Sequence, residues 1–175
     1  LQPEVPGREP DAPGPRLWTD FFELPVGAAF TVLGAGLPPG EDVEVRWIDV
    51  SGDRVSEAQG GRFGAGFSEL PRALGRARVD RDGRLSLRAV PESVQGGAHR
   101  VEAWCGGVLV AHTHLRLSKR GLPLRPKAGP WGAPITVEVD GVSWTEHENL
   151  VAVTYDNALV GYACGNDLMG KVLAR

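Results

Sequence analysis

The stretch VDRDGRLSLRAVPESVQGGAHRVEAWCGGVLVAHTHLRL (79–117) decides the fold. Within it, RLSLRAV (84–90), HRVEAW (99–104) and VLVAHTHLRL (108–117) alternate apolar and polar residues over much of their length. A period of two turns one side of each segment toward a core and the other toward water. RDG, QGG and CGG separate the segments and supply the backbone freedom that tight turns need. Upstream, FTVLGAGL (30–37), VEVRWIDV (43–50) and RARVD (76–80) have the same texture, with PPGED as a turn. Many short strands with such punctuation predict an all-β protein built as a sandwich. The expected core is Val32, Val45, Trp47, Leu85, Leu87, Val101 and Ala103. No amphipathic helix longer than two turns is legible, and SELPRALG (68–75) is the best candidate for a single helical turn.

Bulk properties narrow the function classes. A chain of 175 residues holds one large domain or two small ones. Its 42% hydrophobic and 23% charged residues are ordinary for a globular protein. A net charge of -3 gives no basic surface for nucleic acid. No apolar run reaches the ~18 residues of a membrane-spanning helix. The 24 glycines and 14 prolines suit a turn-rich β protein. Leu1 in place of an initiating Met is read as a mature product or an excised piece.

Residues 1–16, LQPEVPGREPDAPGPR, are expected to form an extended proline-rich arm or linker, because proline cannot donate to a strand ladder. Residues 17–118 read as one sandwich, 119–121 as a hinge and 122–175 as a second unit. The second unit repeats the plan of the first. PVGAAFTVLGAGLPPGEDVEVRWID (25–49) parallels GPWGAPITVEVDGVSWTEHENLVAVTYDN (129–157), and RDGRLSLRAV parallels NDLMGKVLAR.

GAAFTVLGAGLPPGEDVEVRW (27–47) followed by DRDGRLSLRAVPESVQGGAHRVEAW (80–104) resembles the bacterial Ig-like modules found in tandem on secreted and surface proteins. PITVEVDGVSW and LVAVTYDN resemble the related IPT/TIG type. The resemblance implies tandem Ig-like β-sandwiches, a secreted or cell-surface location, and a spacer, adhesive or assembly role. Its motifs are turn and core residues, which specify fold rather than function. Against that plan the second unit lacks the last two strands. Three explanations stand side by side: a longer polypeptide, strands supplied by a partner chain, or a minimal sheet packed on the first unit.

Candidate chemistry comes from four places. If the hairpin turns at Gly106-Gly107, His99, His112 and His114 share one sheet face, and three imidazoles are a zinc-ligand set. Asp140, Glu146 and Glu148 gather beside Trp144, a set suited to a cation or a sugar stacked on the indole. Asp80 and Asp82 in VDRDG read as turn residues. SGDRVSEAQGGRFGAGFSELPRALG (51–75) reads as a long loop whose Phe63 and Phe67 cap the core or form an adhesive tip. Partner contacts are expected at Phe63 and Phe67 and at the Lys171, Val172 and Leu173 edge. Cys105 and Cys164 are expected not to bond each other in an extended tandem. There is no G-x-S-x-G, HExxH or phosphate loop. The function expected is therefore a non-catalytic structural or adhesive module that needs no cofactor. It would associate with protein partners or itself through strand edges and the arm. The rival is a carbohydrate- or cation-binding accessory module of a secreted enzyme.

Overall fold

The computed structural model of the chain describes residues 8–56, 63–92, 95–143, 150–164 and 171–174, with backbone alone at 52–56, 63–67, 164 and 171–174. Among these residues the fold is all-β, with thirteen strands and no helix. Strands β1 (Arg16–Thr19), β3 (Phe30–Ala35) and β6 (Leu85–Ala89) make an antiparallel sheet in the order β1-β3-β6. Strands β2 (Glu23–Pro25), β4 (Asp42–Ser56), β5 (Phe63–Arg78), β7 (Gly97–Cys105) and β8 (Val108–Ser118) make a second sheet, ordered β2-β8-β7-β4-β5. Its pairs are antiparallel except β2 with β8.

The two sheets enclose one core. Val32 and Phe30 from β3 and Leu85 from β6 meet Val43, Val45 and Trp47 from β4, Val101 and Ala103 from β7, and Leu115 and Leu117 from β8. These are alternate residues on each strand, as the period of two requires. Each large aliphatic chain so buried contributes about 1.5–3 kcal/mol. Of the expected core, Leu87 alone is only partly buried.

The segment 51–75 differs from the sequence reading. Its described residues belong to β4 and β5, whose ladder runs from Asp42↔Arg78 out to Ser56↔Phe63. SELPRALG is strand, not a helical turn. Residues 68–73 are exposed throughout, so both strand faces are wet and no period of two is imposed on the sequence. Pro71 is tolerated because β5 is the edge strand of its sheet.

The described part of the N-terminal arm is held by charge. Glu9 ion-pairs with Arg16 and, at 3.1 Å, with Arg84. The two arginines hold the Glu9 carboxyl below the usual carboxylate range.

Beyond β8 the chain forms β9 (Arg120–Gly121), β10 (Val137–Asp140), β11 (Leu150–Tyr155), β12 (Ala158–Cys164) and β13 (Lys171–Ala174). β10 lies between β9 and β13, antiparallel to both, just as β3 lies between β1 and β6. β11 and β12 form a hairpin, as β4 and β5 do. Asp156 and Asn157 turn it with φ of 47° and 62°, the pair of left-handed residues that a two-residue hairpin turn needs. The segment after β10 is pressed against the first two sheets. Gly96 N–H donates to the Val142 carbonyl at 3.3 Å. A Cβ on Gly96 would lie 1.9 Å from the Gly141 carbonyl oxygen, so the approach requires glycine.

Candidate functional site

The three histidines are not brought together. The turn at Gly106-Gly107 does pair Cys105 with Val108, as expected for a two-residue loop. A bulge between Ala103 and Trp104 then shifts the register by one residue. His99 therefore faces Leu115, Arg100 faces His114 and Glu102 faces His112. An extra residue sends every later side chain on that strand to the opposite face. His112 and His114 sit exposed on the outer face, with ring centroids 5.9 Å apart. His99 is buried on the inner face at 1% exposure. Among the described residues no group of three potential ligands is placed to hold a metal ion.

His99 instead closes one end of the core. Its ring stacks on Trp47 with centroids 4.4 Å apart. Nδ1 lies 3.2 Å from the Ile48 carbonyl oxygen and Nε2 lies 3.2 Å from that of Gln95. A neutral imidazole donates to one of these, whereas an imidazolium could donate to both. The Asp49 carboxylate is 3.9 Å from Nδ1 and accepts a hydrogen bond from Arg72 Nε at 3.1 Å. Burial dominates and pushes the His99 pKa below its usual value, against the pull of the carbonyls and Asp49. The ring is a core residue.

The outer face of the larger sheet carries an ionic ladder that the sequence reading missed. Glu44 accepts from Arg46 at 2.5 Å and from Arg76 at 3.0 Å. The Arg46 guanidinium stacks 4.5 Å from the centre of the Trp104 ring. Trp104 Nε1 donates to Glu102 at 2.8 Å, and Arg100 Nε donates to Glu102 at 2.7 Å. Arg100 also binds Glu69 through two nitrogens at 3.0 and 2.8 Å. Hydrogen bonds to Glu69 and Glu102 hold the Arg100 pKa above its usual value. The signal was present as charges at alternate positions, Glu44 with Arg46 and Arg100 with Glu102, on strands already recognised.

The other expected positions scatter. Asp140 is buried at 3% exposure in β10, where Arg120 donates to it at 3.0 Å. Trp144, Glu146 and Glu148 lie outside the described residues. Phe63 and Phe67 are on β5, opposite Ser56 and Gly52 in the ladder. Lys171, Val172 and Leu173 pair with Asp140, Val139 and Glu138, which places β13 at the end of its sheet. Asp80 behaves as a turn residue, its Oδ1 accepting the N–H groups of Asp82 and Arg84 at 2.9 and 2.8 Å. Cys105 is a free, partly exposed thiol. Arg78 and Arg81 line an open cavity of about 530 Å³ together with Pro39, Gly40, Val79 and Asp80.

The least ordinary surface is the β11–β12 hairpin. Leu150 is 46% exposed, Leu159 65%, Val160 62%, Tyr155 75% and Tyr162 74%. From Leu150 to Cys164 the only charge is Asp156, which sits in the turn. Among the described residues no third strand joins this two-stranded sheet. Lys119 anchors its base, donating to the Leu150 carbonyl at 2.6 Å. Partial burial, then nearby Arg116, holds the Lys119 ammonium below the usual lysine range.

No family model matches the chain, and no curated protein matches it. Among solved structures it matches the crystal structure of Spo0M, a sporulation control protein from Bacillus subtilis. That match has 9% identity and a TM-score of 0.40, and it covers 83% of this chain and 76% of the other. At that level the likeness carries no argument about function. The resemblance to tandem bacterial Ig-like surface modules is overturned: the structural match is to Spo0M and not to such modules. The motifs that suggested it are turn glycines and core alternation, which unrelated all-β proteins share.

Proposed function

We propose that the chain is a non-catalytic structural module that assembles with further copies of itself through the β11–β12 hairpin. The observation that carries this reading is a hairpin whose only charge is in its turn, whose edges are open among the described residues, and whose tyrosines and aliphatics are exposed. Taken at ~150–200 Å² per large side chain, its exposed apolar surface is roughly 600 Å². A stable interface buries about 800 Å² on each partner. Edge strands left alone normally carry lysine, proline or a bulge that blocks pairing. β12 has no charge and no proline, and its bulge at Val160 lies off the Gly161–Cys164 half. Antiparallel pairing of the Gly161–Cys164 halves of two copies about a two-fold axis between Tyr162 and Ala163 sets Gly161 opposite Cys164 and Tyr162 opposite Ala163. That arrangement has no like-charge contact and fits an isologous interface. The matching pairings of β1-β3-β6 and β9-β10-β13 support a reading of two units, 17–118 and 122–175, with the second presenting the hairpin.

Sedimentation velocity over a concentration series tests the proposal. The wild-type chain is expected to shift from monomer to dimer or larger, and the Leu159→Lys/Tyr162→Lys variant to stay monomeric. A monomeric wild type at every concentration, or a variant that associates equally, would overturn it.

A further inference from the structure

A different surface is formed by the segment between β9 and β10. Residues 122–136 leave β9 and return to β10 as a narrow excursion. It is closed at its base by Leu122 N–H to the Glu138 carbonyl at 2.8 Å. Arg125 and Thr136 exchange hydrogen bonds at 3.2 and 2.7 Å further out. At the tip, Ala133 N–H donates to the Pro130 carbonyl at 3.0 Å, and Gly132 has φ +82°. That is a four-residue turn with the positive-φ glycine in its third position, which sets Trp131 at the corner.

Trp131 is 104% exposed, as open as an indole in a free peptide. Leu124 and Ile135 flank it at 45% and 46% exposure. The excursion thus presents Trp131 at its tip and Leu124 and Ile135 on its arms, all three exposed among the described residues. Its charge is equally one-sided. From Lys119 to Val137 there are four basic residues and no acidic one, in a chain whose net charge is -3. Arg120 is taken up by Asp140, and Lys119 by the Leu150 carbonyl. Arg125 and Lys127 stand exposed on the same excursion as Trp131.

We infer that this loop docks on an anionic lipid surface, with Trp131 at the level of the headgroups and Arg125 and Lys127 against lipid phosphates. Tryptophan favours the membrane–water boundary because its ring is apolar and its N–H is polar. Basic residues beside it are attracted by the negative potential of the bilayer. An acidic protein would otherwise be repelled, so the local reversal of charge is what favours lipid over a protein partner. A single tip of this kind gives weak, reversible attachment rather than insertion.

Co-sedimentation with vesicles tests this, using phosphatidylcholine alone and phosphatidylcholine with one quarter phosphatidylglycerol. The full chain is expected to bind the anionic vesicles and to lose that binding as salt is raised. Trp131→Ala and Arg125→Glu/Lys127→Glu are each expected to weaken it by roughly tenfold or more. All three side chains are solvent-exposed, and circular dichroism checks that the variants stay folded. Leu159→Gln/Tyr162→Gln, which removes apolar side chains of the hairpin without adding charge, is expected to bind vesicles as the wild-type monomer does, so the two proposals fail separately. Equal binding to both vesicle types, unchanged binding by Trp131→Ala, or no vesicle binding while the tip captures a protein would overturn the inference.

Discussion

Burying His99 against Trp47 ties the stability of the core to pH. Its folded-state pKa lies below the ordinary value of 6.5, chiefly through burial. Below pH 6.5 the unfolded chain therefore binds a proton that the folded chain resists. Stability is expected to fall as pH drops from about 6.5, and this contribution levels off below the folded pKa. Glu9 and Glu44, whose pKa values are lowered by arginine partners, act in a separate window. Their contribution is present above the ordinary carboxylate pKa of 4.5 and is lost as pH falls through their lower folded values. Urea unfolding between pH 5 and 7 should show the histidine slope in the wild type and a flatter profile in His99→Phe, which keeps a ring on Trp47. An equal slope in both would assign the dependence elsewhere. In the same core, Leu115→Ala should cost about 2–5 kcal/mol, because a fully buried side chain leaves a cavity. A denaturation midpoint within error of the wild type would contradict the placement of Leu115. Val32, Val45, Trp47, Leu85, Val101 and Ala103 were legible as core because alternation follows directly from strand geometry. Whether a buried histidine is a ligand or a core residue was not legible, since that depends on one residue of register.

At the scale of elements, most strands were visible and their pairing was less so. β3, β4, β6, β7 and β8 sit where alternation put them. The bulge at Ala103/Trp104 has no sequence mark, yet it moves His112 and His114 to the opposite face from His99. β5 escaped recognition because its described outer half is wet on both sides. The ionic ladder across β4, β5 and β7 shows what the wet face does. Glu102 is only 4% exposed and accepts from both Arg100 and Trp104. Glu102→Ala should cost about 1–3 kcal/mol, since it strands two donors at a largely buried acceptor position. Glu102→Gln retains an acceptor and should cost less. Equal losses for the two would show that the bonds contribute little beyond packing.

At the scale of the whole molecule, the repetition in the sequence corresponds to a repetition of pairing. β9-β10-β13 has the order and direction of β1-β3-β6, and a hairpin follows the middle strand in both. The contact between Gly96 and the 141–142 backbone holds the later strands on the earlier ones. Gly96→Ala would force these backbones apart and should destabilise the chain by about 1–3 kcal/mol. An unchanged melting temperature would show that the approach is loose. The hairpin surface was not legible, because apolar alternation in LVAVTYDNALVGYAC (150–164) reads as a buried strand until the surrounding fold shows nothing described on top of it. Self-assembly through that hairpin is the central claim, and amide hydrogen exchange across a concentration series tests it most directly. Amides of Ala158–Cys164 should gain protection as concentration rises in the wild type and stay fast in Leu159→Lys/Tyr162→Lys. Exchange in β12 that is independent of concentration, and identical in the two proteins, would contradict the account.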